Sequence, residues 1–212
     1  ELTMALHHYF RSPDDMFIFD TGHVGYTHKI LTGRAANFKT LNTYGGMSRF
    51  ITPNESEHDF IEASHAGTSI SLAIGRAISL RNQGLNHWTI AFIGDGALAE
   101  GLALEALNHA SVENDLRLII VLNDNGYAIS PGFGALHEHF KKRELISDSK
   151  DPLFLSLGYD PIGPIDGHNF DDIFKALDDA TNSPGVCIVH AKTEKGRGLL
   201  AAKHHPFKMH YS

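Results

Sequence analysis

Blocks of uninterrupted apolar residues alternate along this chain with stretches whose apolar positions recur every three to four residues. Residues 1–10 read as an amphipathic helix. Met16-Phe17-Ile18-Phe19 is a short apolar run closed by Asp20, and Thr21-Gly22-His23-Val24-Gly25 follows with two glycines, the pattern of a strand and a tight loop. Residues 70–80, rich in Ala, Ile and Leu and poor in charge, predict a buried helix led in by Ser64-His65-Ala66-Gly67-Thr68-Ser69. Then come a buried strand at 88–93, a helix at 101–110, a strand at 116–122, a helix at 170–180 and a strand at 186–191. This alternation is the signature of βαβ units, so the expected fold is α/β, a parallel sheet with helices on both faces. The polar stretch from His137 to Asp151 predicts a mobile helix or loop.

Composition narrows this picture without changing it. The 212 residues, 42% of them apolar, suit a single domain over 1–212. No run approaches the roughly 18 apolar residues of a membrane helix, and the first residues lack a basic-then-apolar signal pattern. The expectation is a soluble protein without membrane partners, cytoplasmic, or in an organelle stroma if a transit peptide has been removed. Cys187 is the single cysteine, set in Val186-Cys187-Ile188-Val189, and reads as a buried strand thiol. A formal charge of -7, with Lys141-Lys142-Arg143 as the densest basic run, argues against a nucleic-acid surface. The fifteen histidines include His7-His8, His137-Glu138-His139 and His204-His205, none with a zinc-binding spacing, and these read as solvated surface residues.

Candidate chemistry lies at two strand ends. Asp95 sits between Gly94 and Gly96 after one apolar strand, where the chain can turn sharply and present a carboxylate and amides. Asn123-Asp124-Asn125-Gly126-Tyr127 follows the next strand, with Asn125 thirty positions after Asp95. On neighbouring parallel strands these oxygens meet at one sheet edge, and such hard ligands suit Mg²⁺ carrying a diphosphate. A dinucleotide-binding dehydrogenase is disfavoured, because no Gly-x-Gly-x-x-Gly follows the first strand.

Gly94-Asp95-Gly96 through Asn125 resembles the thiamine diphosphate motif. Glu1-Leu2-Thr3, Asp20-Thr21-Gly22-His23, His28-Lys29-Ile30-Leu31-Thr32-Gly33-Arg34, Thr68-Ser69-Ile70-Ser71, Gly163-Pro164-Ile165-Asp166-Gly167-His168 and Lys195-Gly196-Arg197-Gly198 resemble, in order, the N-terminal domain of 1-deoxy-D-xylulose-5-phosphate synthases. The resemblance implies a thiamine diphosphate-binding fold and thiamine diphosphate with Mg²⁺ as cofactors. It makes Asp95, the Asn125 side chain and the Tyr127 carbonyl the metal ligands. Gly94, Gly96 and Ala97 would lie against the diphosphate. His23 would touch the cofactor near its reactive carbon, and His65, Ala66 and Gly67 would form another wall; both histidines are candidates for proton transfer. His28, Lys29 and Arg34 read either as approaching a substrate phosphate or as a basic loop on a solvated surface. Asp166-Gly167-His168 reads as a packing turn. The implied reaction transfers a two-carbon unit, most like condensation of pyruvate with glyceraldehyde 3-phosphate. The alternatives are a split transketolase-type subunit acting on ketose and aldose phosphates, or a non-catalytic cofactor-binding module.

The sequence also departs from the family. The Ser-Gly-His element expected ahead of Glu1 is not in this sequence, the family's longer segment between the motif and Leu157-Gly158-Tyr159 is shortened, and Leu199 stands where the family has an aromatic residue. The pyrimidine-binding domain, whose glutamate activates the cofactor, would have to come in cis or trans. A fragment of a longer chain or one subunit of a homodimer or hetero-oligomer is therefore expected.

Overall fold

A computed structural model describes residues 1–143, 150–205 and 207–210. Five strands form one sheet: β1 (Met16–Phe19), β2 (Thr89–Gly94), β3 (Leu118–Asp124), β4 (Ile162–Asp166) and β5 (Cys187–Lys192). Their order is β1-β2-β3-β5-β4, and every neighbouring pair is parallel. Strands covered on both faces must be apolar throughout, which is why the runs 118–122 and 187–191 are buried without a break.

The helices are α1 (Leu2–Tyr9), α2 (Tyr26–Lys29), α3 (Ser69–Asn82), α4 (Asp95–Leu98), α5 (Gly101–Ala110), α6 (Ala135–Lys141), α7 (Pro152–Ser156), α8 (Phe170–Thr181) and α9 (Leu200–His204). One core layer joins Ile70, Ile74 and Ala77 of α3, Ala103 and Leu107 of α5, and Phe140 and Phe154 to Ala91, Ile93, Ile120 and Leu122. The opposite layer sets Leu2 and Leu6 of α1 and Ile173, Ala176, Leu177 and Ala180 of α8 against Ile90, Phe92, Ile119, Val121 and Val189. This division follows from right-handed crossovers: helices lie on one face while the chain steps from β1 to β3, and α8 lies on the other as it steps back from β4 to β5. In α8, the Asn169 side chain accepts from the Asp171 amide, Asp171 and Asp172 occupy the positive first turn, and apolar residues at three- and four-residue spacing face the sheet. Cys187 is buried, and burial pushes its thiol up to about 11, as a structural strand cysteine requires.

The structure adds one strand to the sequence reading and corrects one basic segment. Strand β4 was not legible: Gly163 and Pro164 punctuate its five residues like a turn, yet β4 lies at the sheet edge, where proline is tolerated. Asp166-Gly167-His168 is the turn that ends it. The His168 amide bonds Asp166 Oδ1 at 2.9 Å, and its ring accepts the Glu194 amide at 2.8 Å. Within the polar stretch 137–151, the part to Lys141 belongs to α6, while 144–149 lie outside the described residues.

The correction concerns the basic side chains of His28, Lys29 and Arg34, which are buried on carboxylate partners rather than solvated or set to meet a substrate phosphate. His28 and Lys29 are 0% exposed and Arg34 6%. Arg34 grips Asp59 with both terminal nitrogens, at 2.5 and 2.9 Å, and His28 Nε2 lies 3.0 Å from Asp59 Oδ1. Lys29 Nζ donates to Glu55 Oε2 at 2.6 Å and to the Ser48 carbonyl at 2.7 Å. His7, read as a surface residue, is half-buried with Nε2 2.8 Å from His28 Nδ1. A charged residue enters a protein interior only with a partner, and the carboxylates Glu55 and Asp59 sit more than twenty residues away, beyond any local pattern.

Candidate functional site

Because all five strands run the same way, the chain leaves every one of them at a single edge, where ligands of open parallel sheets bind. Gly94 of β2 pairs with Asn123 of β3, so Asp95 and Asn125 emerge side by side. The Asn125 amide lies 3.4 Å from Asp95 Oδ1, and the Asn125 side-chain oxygen accepts the Tyr127 amide at 3.0 Å.

Asp95 was expected within a sharp turn. It instead opens the short helix α4, with Gly94 extended as its N-cap. Neither glycine of the motif has a left-handed backbone, and Gly96 is needed for space. A Cβ on Gly96 would come within 2.8 Å of the Ala128 Cβ and 3.1 Å of its Cα, so only glycine lets the two strand exits close up. Ala97 is half-buried beside it.

Asp95 is 7% exposed, and its carboxyl is pushed up to about 6. Burial is the main cause and the neighbouring Asp124 carboxylate the second, opposed by backbone amides of Asn125, Asp95 and Gly96. Asp124 itself is held down: although burial acts to raise it, His190 Nε2 at 2.9 Å and Lys192 Nζ at 3.5 Å stabilise its charge. Two buried carboxylates, one of them in no ion pair among the described residues, form a site that a metal ion would relieve.

His23 lies in a 3₁₀ turn after β1, its ring 4.6 Å from that of His210. Although His23 reaches solvent, the protein packed around it pushes its pKa down to about 4, and positive charge from His210 and Lys195 adds to the effect. Its imidazole is neutral near pH 7, able to donate or accept a proton. Lys195, from the exit of β5, donates to the Ala128 carbonyl and holds its ammonium 5.6 Å from the Tyr127 ring centre. Neither His210 nor Lys195 was a site candidate from sequence, Lys195 entering only within the Lys195-Gly196-Arg197-Gly198 resemblance; neither lies near the Asp95–Asn125 motif along the chain.

Asp20 at the end of β1 fixes the loop that carries His65, Ala66 and Gly67. Its two oxygens accept the amides of Gly67, at 2.7 Å, and Ser69, at 3.0 Å. His65 and Ala66 ride exposed on that loop, and Gly67 is buried with φ +80°. Among the described residues no hydrogen bond joins His65 to Asp95 or His23. A Cβ at Gly67 would also lie 2.7 Å from that of Glu100. Gly67→Ala should therefore lower stability by about 1–2 kcal/mol in urea denaturation, since it combines left-handed strain with a clash. A loss below about 0.5 kcal/mol would contradict this reading of the loop.

The family model for 1-deoxy-D-xylulose-5-phosphate synthase matches residues 1–151 and again 141–193. The chain belongs to this family. Among the family's curated members, the enzyme of Geobacillus sp. (strain WCH70) is 42% identical over an alignment 240 positions long, gaps included, covering 96% of this chain, and that of Burkholderia pseudomallei (strain 668) is 38% identical over 243 positions, covering 99%. The chain spans 38% of the length of either relative. The two family matches overlap at residues 141–151. By fold, the chain is similar to transketolases: that of Campylobacter jejuni subsp. jejuni NCTC 11168 has a TM-score of 0.73 at 21% identity over 94% of this chain and 34% of its own, and that of Leishmania mexicana 0.66 at 19% identity over 84% and 28%. The parallel sheet with helices on both faces is thus shared with the transketolase fold.

Proposed function

We propose that this chain binds thiamine diphosphate with Mg²⁺ and contributes the diphosphate half of a transferase site that makes 1-deoxy-D-xylulose 5-phosphate from pyruvate and glyceraldehyde 3-phosphate. The observation that carries the reading is Asp95, a buried carboxylate raised to about 6 beside Asp124 and within reach of the Asn125 exit loop. Its donor set is all oxygen and suits Mg²⁺. Asp95, the Asn125 side chain and the Tyr127 carbonyl would hold the metal. The close approach at Gly96, with Gly94 and Ala97, leaves backbone to face the diphosphate.

When bound, thiamine diphosphate supplies a carbon nucleophile for a 2-keto group. This chain's own task is to hold and orient. Neutral His23 would donate a hydrogen bond or move a proton near the reacting centre. His65, Ala66 and Gly67 would close the pocket, their loop fixed by Asp20. A pyrimidine-binding region in cis or trans would complete the site, most simply within a dimer.

Calorimetry on the chain tests the foundation: Mg²⁺-dependent heat on adding thiamine diphosphate is expected, vanishing when the metal is chelated. Absence of binding with the metal present would remove it. For the reaction, CO₂ release from pyruvate should depend on glyceraldehyde 3-phosphate once a pyrimidine-binding region is supplied. Ketol transfer from a ketose phosphate without CO₂ release would instead make the chain a transketolase-type subunit.

A further inference from the structure

Strand β5 is apolar from Cys187 to Ala191 except at His190, which is 1% exposed and packs its ring 5.3 Å from that of Phe140. An apolar side chain would satisfy that place in the core. The histidine instead leaves Nδ1 without a partner among the described residues and makes one contact with its other nitrogen, 2.9 Å from Asp124 Oδ2. A carboxylate only accepts, so Nε2 carries a proton and donates it. A buried polar atom left without a partner calls for a reason beyond packing.

That reason lies at the end of β3. Asp124 is the last residue of the strand, is 6% exposed, and directly precedes Asn125. Strand β5 and its exit hold it at both ends: His190 takes the carboxylate, and the Thr193 amide donates to the backbone carbonyl at 2.8 Å. The Thr193 hydroxyl also donates to Asn123 Oδ1 at 2.6 Å. With Asp124 fixed, Asn125 leaves the sheet in one direction, its amide 3.4 Å from Asp95 Oδ1 and its side-chain oxygen accepting the Tyr127 amide at 3.0 Å. Lys192 Nζ lies 3.5 Å from the same Asp124 oxygen, but it is partly exposed and donates to the Phe140 carbonyl at 2.7 Å. His190 serves Asp124 alone, from the interior of a strand.

We propose that His190 is a positioning residue for the metal site: it pins the Asp124 carboxylate and so fixes the direction in which Asn125 presents its side chain. The metal rests on the thiamine diphosphate reading, whereas the placement of Asn125 is a property of the chain alone, and the test separates the two. The full 212-residue chain is compared as wild type, H190M and H190Q, because methionine and glutamine are alike in length and only glutamine can donate to Asp124. Two quantities are read: the apparent Mg²⁺ affinity at saturating thiamine diphosphate, by calorimetry, and hydrogen exchange of the Tyr127 amide in the metal-free chain, by NMR. H190M should bind Mg²⁺ roughly 10- to 100-fold more weakly, as follows from losing a group that orients a ligand. Its Tyr127 amide should exchange at least about tenfold faster, since the acceptor of that amide is the Asn125 side chain. H190Q should stay within about threefold of wild type in both.

A Mg²⁺ affinity in H190M within about threefold of wild type overturns the His190 proposal and leaves the cofactor reading standing. Equal loss in H190M and H190Q also overturns it, because His190 would then only fill the core. If wild type itself binds no cofactor, that reading falls and Tyr127 exchange decides alone: a rate unchanged in H190M removes the positioning role. Where H190M does not fold, H190Q is decisive, and Mg²⁺ binding weaker than wild type by more than about threefold sinks the proposal.

Discussion

Asp95→Asn is expected to weaken Mg²⁺-dependent thiamine diphosphate binding by at least about 100-fold, a metal ligand mattering no less than the groups that orient it, and to make the metal-free chain more stable. The second effect follows from the sign of the Asp95 shift. Its carboxyl moves from 3.8 to about 6 on folding, so the folded state holds its proton more tightly than the unfolded one. Stability lost to this group therefore accumulates as pH rises from 3.8 to about 6 and is fully present above that. By linkage the cost at pH 7 is about 3 kcal/mol, an upper figure for what the amide returns. Urea denaturation of the metal-free forms at pH 7 and pH 4.5 checks it: the variant's advantage should shrink at the lower pH. Magnesium affinity of the wild type should likewise fall below about pH 6, where the proton competes for Asp95. An Asp95→Asn variant no more stable than wild type at pH 7 would mean that Asp124 and burial do not strain this carboxylate.

The largest loss of stability is expected at a position outside the site. Asp59→Ala should cost about 3–5 kcal/mol, because it leaves the buried Arg34 with only Glu55, 3.5 Å away, as counter-charge and strips the buried His28 ring of its acceptor. Asp59 accepts from Arg34 twice, from His28 and from the Thr52 amide, and so ties the loop that leads to His65 back onto the domain. Burial alone would raise its pKa, but the hydrogen bonds from His28 and Arg34, with the charge of the guanidinium, outweigh burial and bring it to about 2. A depressed carboxyl contributes stability that is present above 3.8 and disappears as pH falls toward about 2. His28 acts in the same direction from a higher pH: burial lowers its pKa below 6.5, so acidification through that value favours the unfolded state, where the ring can charge. Equilibrium unfolding from pH 7 to pH 3 should show wild type losing stability throughout, and the variant losing less between pH 4 and pH 3. A cost under about 1 kcal/mol at pH 7 would show that the cluster is not desolvated.

Both variants separate what can be read along the chain from what cannot. The sequence by itself determined the alternation of elements and so the parallel sheet: runs such as 118–122 have to be buried on both faces, and only a sheet covered by helices does that. It also determined that Asp95 and Asn125 share an edge, because two apolar strands with one helix between them pair in parallel and end together. Tertiary structure decided the rest. Strand β4 exists because it has β5 to pair with, against its own glycine and proline. The basic segment from His28 to Arg34 turned inward because Glu55 and Asp59 were waiting there. Lys195 and His210 reach the candidate site from the distant exit of β5 and the last described residues, and no periodicity reports a contact made across a sheet. Local pattern registers which face of an element is apolar; the position of a charge depends on its partner, and the partner is chosen by the fold.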